Sequence, residues 1–156
     1  MEDIWNITAL VVSVLSVLLS LYALRQATTK NTSDMYLFFI SQYAKEDMKL
    51  ALRKLKDIKR GVYRLEQWES DMKNNLPKAF EYDEARRLVK YFYDTLAYMK
   101  LEKLIEARFV RLICLKKGAW LYLDTVEAME KFFDSGYDKK PYAVIRDVCE
   151  NLRKEG

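Results

Sequence analysis

No histidine occurs anywhere in this chain. That absence removes the commonest general base, the commonest zinc ligand and the usual partner of a Ser or Cys nucleophile. It also removes the Glu-x-x-His ligand pairs of di-iron helical bundles. The four glycines are isolated from one another, so there is neither a phosphate-binding loop nor a dinucleotide fingerprint. The expectation is a protein that is not an enzyme, with no catalytic residue, no metal site and no cofactor. No small-molecule substrate is evident.

Proline is scarcer still, at two residues, and the turn punctuation that strands require is mostly missing. A composition rich in Leu, Lys, Glu, Tyr and Met favours helices instead. Two cysteines, Cys114 and Cys149, have no close-spaced partner, which excludes a disulfide framework and a metal cluster. Both are expected to be buried, reduced and packed as small hydrophobes, in keeping with a reducing compartment.

Basic residues are absent from the first 24 positions, while 27 follow. Within that stretch, Ile4 to Leu24 carries no charge. At 1.5 Å per residue such a run spans about 30 Å, the thickness of a bilayer's hydrocarbon core. Trp5 and Tyr22 stand near its ends, where amphipathic rings prefer the interface. A cleaved signal peptide needs a basic start, a shorter apolar run and a small-x-small site. Here the start is Met-Glu-Asp and Arg25 interrupts the likeliest site near Ala27. The expectation is an uncleaved anchor over residues 1–30, with a helical domain over 31–156. The positive-inside rule puts the N-terminus outside and the domain in the cytoplasm.

The apolar run bears a stripe of small and polar residues: Asn6, Ala9, Ser13, Ser16, Ser20 and Ala23, with Ala27 beyond. Their alternating steps of three and four keep them within an arc of about 100°. Small residues let helix backbones approach closely, and Ser or Asn can hydrogen-bond across the contact. The stripe has three readings: self-packing, the lining of a wet pore, and chance. The first two require a homo-oligomer, which is the favoured expectation because polar groups in hydrocarbon need partners.

In the domain, Leu37, Ser41, Ala44, Met48, Ala51, Leu55 and Ile58 follow helical spacing, which predicts one helix of about 24 residues from Met35. Gly61 ends or bends it. A second helix carries Val62, Leu65, Trp68 and Met72, closed by Asn74-Asn75-Leu76-Pro77. A third opens at Tyr82-Asp83-Glu84 and runs through Met99. A break near Leu104 precedes a fourth, Gly118 punctuates it, and a fifth runs from Trp120 to about Phe133 and ends at Gly136. Pro141 sits near the start of the last helix. The fold class is all-α: a transmembrane helix followed by a cytoplasmic bundle of five or six helices.

Two charge patterns stand out. Asp124, Glu127 and Glu130 share a helix face, read either as solvated or as a divalent-ion site. Lys49, Arg53, Lys56 and Arg60 form a basic stripe among Lys54, Lys59 and Arg64. It is either a solvated face with salt bridging or a contact for anionic lipid or RNA phosphate. Lipid contact requires the helix to fold back, since a straight helix from Leu24 would hold Lys49 about 35 Å from the membrane.

After the apolar run come Phe92-Tyr93-Asp94, Lys103-Leu104-Ile105, Phe109 and Trp120. This order of features resembles a family of small bacterial membrane-anchored proteins of unknown function. It is also similar to the accessory membrane proteins of RNA-targeting type VI CRISPR systems. The resemblance implies an oligomeric inner-membrane protein that permeabilises or depolarises the membrane in phage defence. Its implied partners are the membrane, further copies of itself, and RNA or a CRISPR effector protein as trigger. It further implies a helical domain like the HEPN ribonuclease fold, whose signature is an Arg followed four to six residues later by His. Arg86, Arg87, Arg108 and Arg111 are available, but no His completes the motif. A membrane-tethered module that docks a cytosolic partner is the alternative, and a divergent ribonuclease a third.

Overall fold

In the computed structural model of the chain, which describes residues 16, 18–23, 26, 33–133 and 137–155, every regular element is a helix. The all-α expectation holds. The chain divides into two units, residues 1–37 and 38–156. In the first, residues 16, 18–23, 26 and 33–37 are helical. No helix among the described residues is long and apolar enough to cross a membrane. Most of the run from Ile4 to Leu24 lies outside the described residues, as do Asn6, Ala9 and Ser13. Ser16, Ser20 and Ala23 are helical and exposed.

The second unit comprises helical residues 38–44 (α1), α2 (Glu46–Lys59), α3 (Leu65–Lys73), α4 (Pro77–Leu101), α5 (Ala107–Cys114), α6 (Gly118–Leu121), a π-helical turn (Tyr122–Val126), α7 (Glu127–Phe133) and α8 (Lys139–Glu155). These eight α-helices exceed the five or six expected from the sequence, because two long stretches are subdivided. The helix expected to run unbroken from Met35 is interrupted at Lys45, whose extended backbone (φ −59°, ψ 147°) lets α2 begin afresh. Glu46 and Asp47 then occupy its first turn, where acidic side chains meet the positive end of the helix dipole. Gly118 begins a helix rather than closing one.

Three helices share one mode of termination. After α2, Gly61 adopts φ +74°, its N–H reaches Ile58 O at 2.9 Å, and Val62 N reaches Asp57 O at 2.9 Å. This is the Schellman arrangement, which satisfies the last carbonyls of a helix. Asn75 (φ +53°) repeats it after α3 and Lys103 (φ +57°) after α4. Val62, expected within the second helix, belongs instead to the α2–α3 connection and is 73% exposed. The third helix opens at Pro77 rather than Tyr82; proline's fixed φ and missing N–H suit a first helical position.

The core gathers around α4, which packs against α2, α3 and α8. Met48, Ala51, Leu55 and Ile58 of α2 are buried, as their spacing predicts. A chain of rings crosses the interior: Phe39 meets Phe92 edge-on, Phe92 meets Tyr93, and Tyr93, Tyr122 and Tyr142 stack in sequence. Trp68 fills the other end under Phe132 and Phe133, and its indole N–H donates to Ala79 O at 3.2 Å. Removing a buried ring of this size costs about 3–5 kcal/mol.

A candidate anion-binding groove

The basic stripe of α2 is where the structure and the sequence reading meet. At 100° per residue, Lys49, Arg53, Lys56 and Arg60 fall within an arc of about 60° on one side of the helix. That side borders an open groove of about 790 Å³ between α2 and α6. Lys59 and Lys117 add two more cations to its rim, and its apolar walls come from Leu52, Trp120 and Leu121. No carboxylate lines it. The groove closes at Gly118, whose N–H donates to the Tyr43 hydroxyl at 3.2 Å. A Cβ at position 118 would stand 2.8 Å from the Tyr93 hydroxyl and 2.9 Å from that of Tyr43, so only glycine fits without displacing a ring. Burial raises the pKa of Tyr43, keeping its hydroxyl neutral beside the cations.

The six cations are not equivalent. Lys49 and Arg53 both pair with Glu46, at 3.3 and 2.8 Å, and Lys59 pairs with Asp124 at 2.5 Å. Lys56, Arg60 and Lys117 have no carboxylate within ion-pair distance among the described residues. The indole of Trp120 likewise has neither a ring contact nor a hydrogen-bond acceptor among them, and 37% of the residue is exposed. Three unmatched cations around apolar walls can hold an anion.

The acidic triplet behaves differently from either sequence reading. Asp124 lies within the π-helical turn and Glu127 and Glu130 lie on α7 beyond it. Asp124 points outward to Lys59, whereas Glu127 and Glu130 are buried. Their solvated-face reading is therefore corrected. Glu130 pairs with Arg86 and lies 3.8 Å from Lys90. Arg86 Nε also reaches Asp83 at 2.8 Å, and Arg87 bonds the other Asp83 oxygen at 2.8 Å. Lys90 pairs with Asp94, which accepts the Tyr122 hydroxyl at 2.6 Å. Glu127 accepts from Tyr137 and pairs with Arg146 and Lys131. Among the described residues no cluster of acids, thiols or histidines has the makings of a metal site.

Cys114 and Cys149 are free and buried, as expected. Unforeseen in the sequence, α5 and α8 bring the two thiols into a shared hydrogen bond, which raises the pKa of Cys114 and lowers that of Cys149. The stripe of the first unit also gains a detail. Ser20 Oγ donates to Ser16 O at 2.8 Å, so its proton is satisfied within its own helix.

No family model, curated protein or solved structure matches this chain. The residues behind the sequence resemblance have structural explanations here. Phe92 and Tyr93 are core rings, Asp94 anchors Lys90 and Tyr122, and Lys103 forms the helix stop. Only Trp120 belongs to the groove. Arg86, a candidate for the ribonuclease motif, is occupied by Asp83 and Glu130 inside the bundle.

Proposed function

We propose that this chain is a membrane-anchored, self-associating, non-enzymatic protein whose cytoplasmic helical domain receives an anionic trigger in the α2–α6 groove. Its output is permeabilisation or depolarisation of the bacterial inner membrane. The anchor and orientation rest on the uncharged run from Ile4 to Leu24 and the absence of Lys and Arg before Arg25. Self-association rests on the stripe from Asn6 to Ala23. The role in phage defence rests on the resemblance to CRISPR-accessory membrane proteins. The observation that carries the input side is the gathering of Lys49, Arg53, Lys56 and Arg60, with Lys59 and Lys117, around a groove without a carboxylate in its lining.

The test is a potential-sensitive dye in cells that express the full chain together with the phage or RNA challenge that activates it. Wild type depolarises the membrane. Lys56→Glu with Arg60→Glu silences the input, and Asn6→Leu with Ser13→Leu silences the output. Absence of depolarisation in every condition in which the protein protects its host sinks the channel reading. It favours the docking module, a reading that the groove supports without any channel. A ribonuclease is the least supported reading, because the chain lacks histidine and Arg86 is committed to internal ion pairs. RNA cleavage by the purified protein that is lost in Arg108→Ala would restore it.

A further inference from the structure

Resting on the reading of the groove as the input site, the geometry points to a compact aromatic phosphate of the nucleoside di- or triphosphate class as its ligand, bound without hydrolysis.

Three observations select this chemistry. The first is the distribution of charge along the rim. Glu46 is paired with Lys49 and Arg53 toward one end of α2, and Asp124 with Lys59 toward the other. Lys56, Arg60 and Lys117, which line the same groove, have no carboxylate within ion-pair distance among the described residues. A compact anion of two to four charges meets three cations and no competitor. Arg60 adds a planar fork that binds phosphate oxygens in pairs, and lysine acts as a point charge beside it.

The second observation is the state of Trp120. The other tryptophan of the second unit, Trp68, is fully buried, faces two phenylalanine rings and spends its N–H on a backbone carbonyl. Trp120 has no such partner among the described residues and lines the groove together with Lys117. A flat, partly wet indole beside phosphate-binding cations is a stacking surface, and stacking a base on such a ring contributes about 1–3 kcal/mol.

Size is the third. Ligand pockets for drug-sized molecules span roughly 300–1,000 Å³ and are mostly apolar with a few placed polar groups. A groove of about 790 Å³ with Leu52, Trp120 and Leu121 on its walls is of that kind. An acyl chain would leave much of its surface wet in an open groove, which disfavours a lipid. Inorganic phosphate would leave the apolar walls uncovered.

The experiment uses the full chain, purified in detergent micelles and titrated with ADP, followed by heat and by tryptophan fluorescence. ADP is expected to saturate with a Kd below about 1 mM, the weak end of specific binding. Arg60→Gln, Lys56→Gln and Lys117→Gln should each weaken it by tenfold or more. Lys139→Gln, at an exposed lysine of α8 that does not line the groove, should change it less than threefold. Trp120→Ala should weaken ADP by at least tenfold and tripolyphosphate by less than threefold. Circular dichroism melts check that each variant is folded, and Trp120→Phe, which keeps a stacking face, should recover most of the loss.

Tripolyphosphate binding as tightly as ADP with no response to Trp120→Ala would overturn the proposal, since charge alone would then be read. So would decauridylate or phosphatidylglycerol nanodiscs binding at the same residues when ADP does not. Failure of ADP to bind while Lys56→Glu with Arg60→Glu still silences depolarisation would defeat this ligand and leave the groove as the input. ADP binding that depends on Arg60, in a protein that never depolarises a membrane, would sustain the ligand and defeat the proposed output.

Discussion

Two charged regions of the second unit, both built partly on long helices, use their charges in opposite ways. On the inner face of α4, every charge meets its complement: Asp83 with Arg86 and Arg87, Glu130 with Arg86, Lys90 with Asp94. Around the groove between α2 and α6, half of the cations meet none among the described residues. Burial explains the contrast. A charge removed from water costs several kcal/mol unless it is paired, so an unmatched Arg86 would be incompatible with the fold. An exposed lysine carries no such cost, and leaving Lys56 or Arg60 unpaired is thermodynamically cheap. Paired buried charge here specifies structure, whereas the unpaired surface charge is the basis of the ligand proposed for the groove.

Substitution of Arg86 should have the largest effect. Arg86→Ala strands Asp83 and Glu130 inside the bundle and removes a guanidinium stacked 4.7 Å over the Phe133 ring. A loss of about 3–5 kcal/mol in urea denaturation is expected. Gly118→Ala should come next. Its Cβ meets the Tyr43 and Tyr93 hydroxyls, and the overpacking should cost about 1–3 kcal/mol and narrow the groove.

Alkaline pH acts on the interior by another route. Burial and carboxylate neighbours raise the pKa values of Tyr63, Tyr122 and Tyr142, and push that of Tyr137 up to about 12. A raised tyrosine favours the neutral, folded state, so its contribution is complete below the unfolded value of 10.0 and disappears as pH rises through the folded value. Stability should therefore fall between pH 10 and 12, as urea denaturation at a series of pH values would show. Early, non-cooperative titration of these hydroxyls would contradict the packing described.

The smallest effect concerns a helix stop. Lys103 holds a left-handed backbone that costs an L-residue about 1–2 kcal/mol, and glycine removes that cost. Lys103→Gly is expected to stabilise the protein by about 1 kcal/mol in the same urea titration.

Much of this was legible in the sequence, and the limits have physical causes. The buried face of α2, the stop at Gly61, the Asn74-Asn75 turn, the break near Leu104 and the start near Pro141 all follow from periodicity or turn chemistry. The basic stripe did too, because its members lie on one helix. Lys117, Trp120 and Gly118 joined it only through tertiary packing, which no local spacing records. The break at Lys45 lacks glycine and proline; its signal was the acidic pair Glu46-Asp47 opening a helix that ends in Lys56 and Lys59. The π-helical turn has no sequence signature, so the fates of Asp124, Glu127 and Glu130 could not be separated. The Cys114–Cys149 contact depends on α5 meeting α8, 35 residues apart in their numbering.

One paired measurement on Lys56→Gln with Arg60→Gln goes to the centre of the account. Urea denaturation and ADP titration are performed on the same preparation of the full chain in micelles. Stability is expected within about 0.5 kcal/mol of wild type, as for exposed sites without partners among the described residues, together with at least a hundredfold loss of ADP affinity. Stability reduced as far as in Arg86→Ala, or ADP affinity left intact, would contradict it.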